Sequence, residues 1–268
     1  MTPRPFAFHS FSRILLFSSS LFALMTDASF ADQRDRYESR TYSDSGDRQL
    51  PYRLLKPANY DAQKKYPLVL FLHGAGERGD DNWKQLVHGM RDFASDSVMK
   101  EYPCFVVAPP CPTGKRWVEV DWSADKHAAP EEISPWLEMS LKVVESLEKE
   151  FSIDSNRLYI TGLSMGGYGT WDAIQRHPQR FAAAAPICGG GDESQAERLA
   201  KLPLWVFHGA KDNVVKPERS RNMIAAIKKA GGSPKYTEYP NAGHNSWSAT
   251  YSNPEYYKWL FSQQREKK

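Results

Sequence analysis

The chain has 268 residues, 41% of them hydrophobic and 25% charged, with a formal net charge of +3. That is enough apolar material for one sizeable core, and a charge so near balance argues against nucleic acid or an anionic membrane surface as partner. Three cysteines, Cys104, Cys111 and Cys188, are too few for a disulfide scaffold.

Residues 1–31 read as an export signal. Arg4 and Arg13 supply positive charge, Ile14 to Met25 form an apolar run broken by serines, and Ser29-Phe30-Ala31 offers the small residues that a signal peptidase accepts. The run falls well short of the roughly 20 residues needed to span a bilayer, as does every later segment. Cleavage after Ala31 is expected, leaving residues 32–268 as a single domain, periplasmic or released, with no membrane insertion.

Two strands come first, Tyr37 to Ser43 and Leu50 to Leu55, joined as a hairpin through Asp44-Ser45-Gly46-Asp47. Pro67 to Leu72 (PLVLFL) is a continuous apolar run of buried-strand type, and a helical stretch is expected from Lys84 to Met99. Cys104 to Ala108 is the next buried strand. Cys104 and Cys111 bracket an extended segment, so they cannot bridge each other unless the chain doubles back. Small buried thiols are the expectation for all three cysteines. Pro130 to Glu150 carries apolar residues at threes and fours (Ile133, Leu137, Leu141, Val144, Leu147) and is expected to be helical. Strand Arg157 to Thr161, helix Met165 to His177 and strand Phe181 to Ile187 follow. Then come a short helix from Glu193 to Leu202, strand Leu204 to His208, helix Pro217 to Ala230, strand Tyr236 to Tyr239 and a last helix, Pro254 to Ser262. Strands alternating with helices at this spacing predict right-handed βαβ units and a mostly parallel eight-stranded sheet covered on both faces.

The chemistry sits on Gly162-Leu163-Ser164-Met165-Gly166, a G-x-S-x-G between strand and helix. A serine in so sharp a turn has its hydroxyl clear of the backbone, and the glycines remove side chains that would clash. Its hydroxyl is a weak nucleophile until a base takes the proton, and the base needs an acid to orient it. The expected chain order is nucleophile, acid, base. Downstream histidines are His177, His208 and His244. His177 precedes a proline at a helix end, and His208 ends a strand where a structural hydrogen bond suits it. His244 lies in the turn Asn241 to Asn245 after the last strand and is the base. Asp212, in the loop after the preceding strand, is the acid; its rival Asp192 is better explained as a helix N-cap.

An oxyanion hole needs preorganised N–H donors. Met165, directly after the nucleophile, supplies one; Ala75 or Gly74, in His73-Gly74-Ala75-Gly76 after PLVLFL, supplies the other. His73 precedes the nucleophile and takes a structural role. The charged run Glu77 to Asn82 is a solvated loop or part of the site rim.

HGAGERGDDN, GLSMGGYGTW, HGAKDNVV and YPNAGHNSW, in this order, resemble the family variously called predicted peptidases, phospholipase/carboxylesterases or feruloyl-esterase-like hydrolases. The resemblance covers nearly all of residues 32–268. It implies a compact α/β-hydrolase with Ser164, Asp212 and His244 in the triad positions, working through an acyl-enzyme.

The short stretch between Ile187 and Leu204 leaves no room for a cap domain, so the site is expected to be open and to suit polar or polymer-bound esters. Trp117 and Trp122, in the long irregular stretch Cys111 to Ala129, and Trp247, just after the base, either stack on a sugar or aromatic acyl group or pack their loops. His127 and Asp125 in that stretch read as solvated loop rather than metal ligands. The expected substrate is a small-molecule or polysaccharide-linked ester, short-acyl, acetyl or feruloyl, with neither cofactor nor metal required. A serine peptidase or an acyltransferase on the same triad is the alternative. Oligomeric state has no sequence signature here.

Overall fold

The computed structural model describes residues 1–2 and 33–265. The expected export signal and its cleavage point lie outside the described residues. Among those described, no helix is long and apolar enough to cross a membrane.

Eight strands form one sheet: β1 (Tyr37–Ser43), β2 (Gln49–Leu55), β3 (Tyr66–Leu72), β4 (Phe105–Ala108), β5 (Ile153–Leu163), β6 (Ala183–Ile187), β7 (Trp205–Gly209) and β8 (Lys235–Tyr239). Their order is β1-β2-β4-β3-β5-β6-β7-β8. β1 pairs antiparallel with β2, and β2 with β4, while the rest of the sheet is parallel. This is the mostly parallel eight-stranded sheet that the alternation predicts, in the α/β-hydrolase arrangement that the motif resemblance implies.

Side chains alternate across the sheet, so each central strand feeds two cores. Leu68, Leu70 and Leu72 of β3 join one apolar cluster with Leu137, Val144, Ile174 and Met223. Val69 and Phe71 join the other with Met90, Phe93, Tyr256 and Leu260. Helices Pro135–Glu150, Met165–Arg176 and Glu218–Lys229 thus belong to one face, and Met90–Phe93 with Pro254–Ser262 to the other. A strand buried on both faces needs an unbroken apolar run, which is why PLVLFL shows no alternation.

The structure corrects several boundaries. The helix expected from Lys84 to Met99 is three pieces: a 3-10 turn at Lys84–Leu86, then Met90–Phe93 and Asp96–Glu101. Gly89 at φ +73° interrupts the first join, where a Cβ would meet Tyr251 at 2.7 Å. Ser95 restarts the chain as an N-cap. The helix expected from Pro130 begins only at Pro135, because Ser134 is extended and donates its hydroxyl to the Arg116 carbonyl. A short helix, Trp247–Tyr251, follows the His244 turn without periodicity to announce it. All three cysteines are buried and free, and burial pushes the Cys104 and Cys111 thiols up to about 12.

Candidate active site

Ser164 sits between β5 and helix Met165–Arg176 at φ +54°, ψ −116°. A non-glycine residue rarely adopts that region, and it persists only where surroundings over-determine it. Here they do. A Cβ at Gly162 would lie 2.4 Å from the Gly166 carbonyl oxygen, and one at Gly166 only 1.9 Å from that of Leu72. The helix start is thus pressed onto the ends of β5 and β3, and the serine hydroxyl is left pointing off the turn.

His244 reaches it from the turn after β8, with Nε2 2.9 Å from Ser164 Oγ. Its Nδ1 lies 2.7 Å from Asp212 Oδ2. An ionised carboxylate only accepts, so the imidazole proton is on Nδ1 and Nε2 is free to accept from the serine. Asp212 is in the loop after β7, as expected from the sequence. Its other oxygen, Oδ1, accepts the Val214 and Val215 N–H groups at 2.9 and 3.0 Å. Burial alone would raise the Asp212 pKa, but hydrogen bonds from His208, His244, Val214 and Val215 outweigh it and hold the carboxyl well below the usual range.

Gly74, Ala75, Ser164 and His244 line one cavity of about 550 Å³, together with Trp122 and Trp247. Met165 is the first residue of the helix behind Ser164, where backbone N–H groups have no intrahelical acceptor. The loop carrying Ala75 is fixed by His73. Its Nε2 accepts the Cys111 N–H at 2.8 Å, so its Nδ1–H donates to the Gly74 carbonyl at 2.7 Å. That carbonyl belongs to the same peptide as the Ala75 N–H, whose direction is thereby set. Burial pushes His73 down to about 4, so the ring stays neutral. Glu77, on the rim, contacts His88 at 3.4 Å. Burial raises its pKa, but the His88 hydrogen bond and the Gly74 N–H help to bring it below the usual value.

The three tryptophans part company. Trp122 and Trp247 line the cavity, whereas Trp117 is fully buried and does not. Trp117 packs against the His73 ring at 5.2 Å and donates from Nε1 to the His73 carbonyl at 2.9 Å. The expectation that it contacts substrate is therefore replaced by a supporting role behind the Ala75 loop. Trp122 is covered on one side by Arg116, whose guanidinium carbon lies 4.4 Å from the ring centre. Neither Arg116 nor Tyr168 is distinguished in the sequence, yet both line the cavity; only the folding of the long loop brings them there.

That loop is tied down from below. Arg219 is completely buried and donates to the Ala124 carbonyl at 2.8 Å and the Gly191 carbonyl at 3.3 Å, while also touching His127. Burial first, and then the Arg219 charge, push His127 down to about 4. Asp125 pairs with Lys216 at 2.5 Å. His127 and Asp125 thus have protein partners, as a packed loop requires. Asp192, the rival acid, accepts from Ser194 N at 3.0 Å as an N-cap and from Ala129 N at 2.8 Å. His177 is the C-cap of helix Met165–Arg176.

Ligand atoms of Cys188, Asp212 and His244 lie within 4.8 Å of one another. The Asp212 and His244 atoms are bonded to each other, however, and burial drives the Cys188 thiol up, away from the thiolate a metal needs. The set suits a proton relay over a buried thiol better than an ion.

Residues 120–258 match the model of the dienelactone hydrolase family. The chain belongs to the dienelactone hydrolase family. Its fold is thus the α/β-hydrolase fold, and the match takes in Ser164, Asp212 and His244. Among solved structures, a thermostable esterase is 44% identical with a TM-score of 0.79, covering 86% of this chain and 64% of that one. The bifunctional acetylxylan esterase/xylanase XynS20E of Neocallimastix patriciarum is 25% identical over 179 residues, 65% of this chain and 24% of the relative. A probable carboxylesterase of Oryza sativa subsp. japonica is 26% identical over 200 residues, 69% of this chain and 73% of the relative. This dienelactone hydrolase family member spans about a quarter of the length of the first two curated relatives it matches.

Proposed function

We propose that the chain is an exported serine carboxylesterase acting on short-acyl, acetyl or feruloyl esters carried by polysaccharide. The observation that carries the reading is His244 bridging Ser164 at 2.9 Å and Asp212 at 2.7 Å. That spacing lets one imidazole take the serine proton while the carboxylate stabilises the imidazolium that forms.

Catalysis then has two halves. Ser164 Oγ attacks the ester carbonyl as its proton passes to His244 Nε2, and the N–H groups of Met165 and Ala75 (Gly74 being the other loop donor) hold the oxyanion. The N-terminus of helix Met165–Arg176 adds partial positive charge there. His244 gives the proton to the departing alcohol, and water activated by the same Nε2 releases the acid.

The polysaccharide part of the proposal rests on the cavity. Trp122 and Trp247 offer apolar faces, while Glu77, Arg116, Asp121 and Ser123 offer polar contacts on the same wall set. Mixed aromatic and polar walls suit a sugar or a phenolic acyl group. The connection from β6 to β7 holds only the 3-10 segment Glu193–Leu199, so no cap domain is inserted there. The acetylxylan esterase relative points the same way. Export follows from residues 1–31, and N-terminal sequencing of the protein recovered outside the cytoplasm should begin at Asp32.

The test is hydrolysis of short p-nitrophenyl esters, acetylated xylan and methyl ferulate by residues 32–268 beside Ser164→Ala. Ester turnover abolished in the variant supports the nucleophile, and the order of rates assigns the acyl group. A folded protein inert on every ester would overturn the reading.

A further inference from the structure

The Asp212 carboxylate has a second histidine on it. His208, the penultimate residue of β7, is completely buried. Its Nε2 lies 2.9 Å from the Val215 carbonyl and 3.2 Å from Asp212 Oδ2, the same oxygen that faces His244. Both neighbours are acceptors only, so Nε2 carries a proton shared between them. On the opposite side of the ring, Nδ1 lies 2.8 Å from Ser220 Oγ in helix Glu218–Lys229. Across the sheet His208 is in register with Glu238 of β8, whose carboxylate is engaged by Arg221 and Tyr236.

The two backbone N–H groups on Asp212 bind Oδ1 alone. Bonds to one oxygen act as a hinge, leaving the carboxylate plane free to swing about it. A contact on Oδ2 stops the swing, and apart from the base itself His208 supplies that contact. A carboxylate in the wrong plane would leave His244 Nδ1 unpaired and its ring misaimed, where small misplacements are costly in rate.

We propose that His208 is a positioning residue for the triad: clamped by Ser220 and Val215, its Nε2–H holds the plane of the Asp212 carboxylate so that Oδ2 stays on His244 Nδ1. The inference rests on reading Ser164, His244 and Asp212 as the triad.

Two substitutions separate the ring's two edges. In His208→Gln the side-chain amide falls near the Nε2 position and can still donate to Asp212. In His208→Asn it falls near Nδ1, so the Ser220 contact survives and the Asp212 contact is lost. Measured on an activated ester and normalised to folded protein, His208→Asn should lose about tenfold or more in kcat with KM within about twofold, whereas His208→Gln should keep about a third of the parent kcat. Equal kcat for the two variants, or a loss expressed in KM, would overturn the proposal. Should His208→Asn fail to fold, Ser220→Ala decides: it frees the ring without removing it and should lower kcat about threefold. An unchanged kcat there would equally overturn the proposal. Ser164→Ala, run alongside, keeps the two ideas apart, because turnover surviving in it would remove the triad reading itself.

Discussion

The indole of Trp247 stands edge-on to the imidazole of His244, with ring centroids 5.4 Å apart and planes at 87°. Trp247 also packs against His88 at 5.3 Å, so His244, the proposed base, leans on an aromatic ring that also lines the cavity. Trp247→Ala should therefore impair both binding and base orientation, lowering kcat/KM about tenfold, with kcat and KM both moving. Trp247→Phe should recover most of it. A rise in KM alone would assign Trp247 to substrate contact only.

Asp212→Asn tests the tautomer. The Asn carbonyl would take the Val214 and Val215 N–H groups, turning the amide NH2 toward His244. The imidazole would then accept at Nδ1 and carry its proton on Nε2, unable to take one from Ser164. A kcat loss on the order of 10⁴ is expected with the fold retained. Circular dichroism together with steady-state rates checks it, and a loss of under about tenfold would return Asp192 to consideration.

Gly209→Ala perturbs the site through the backbone alone. A Cβ there would lie 2.0 Å from the Gly243 carbonyl oxygen and 2.6 Å from that of Ala242. The His244 turn must shift to admit it, and a displacement of about 1 Å costs about 100-fold in rate. Retained activity would mean that the turn can move without carrying the base away.

Trp117 and Trp122 should fail in opposite ways. Trp117→Ala empties a fully buried site behind the Ala75 loop and should cost about 3–5 kcal/mol of stability. Trp122→Ala, at the cavity wall under Arg116, should chiefly raise KM for aryl or sugar esters. Thermal melts and rates on the two variants decide, and a Trp122→Ala enzyme with parental KM would remove the stacking role.

Stability should decline on the acid side for a specific reason. His73 and His127 are held near 4 in the folded chain, against an ordinary value of 6.5. The unfolded chain binds protons first as pH drops, so this stabilisation is complete above about 6.5 and is lost from there down toward 4. Melting temperatures across that window should fall, and His127→Gln should fall less steeply. An identical slope in the variant would assign the acid sensitivity elsewhere.

Local pattern carried a great deal of this molecule. The unbroken PLVLFL run, the hairpin through Asp44 to Asp47 and the G-x-S-x-G turn each encode their own geometry within a few residues, so strand order in sequence and the place of Ser164 could be read directly. Asp212 and His244 followed from the order of strands and loops, and the structure sets both beside Ser164.

Where contacts cross the fold, the pattern was silent or misleading. Gly89 breaks an otherwise helical stretch because Tyr251, far along the chain, packs against it. Trp117 and Trp122 are five residues apart in one loop and indistinguishable by type. His73 draws the first into the core, and Arg116 stacks the second at the cavity. His208 carries no mark of its contact with Asp212, since a bend of the Gly209 to Asp212 loop returns the carboxylate to the ring. Periodicity and turn chemistry are properties of neighbours in sequence, and they determined the strands, the turn that carries Ser164 and the chain order of Ser164, Asp212 and His244. Which side chains face the cavity, and what steadies the acid, depended on packing between segments distant in the chain, and only the tertiary structure decided it.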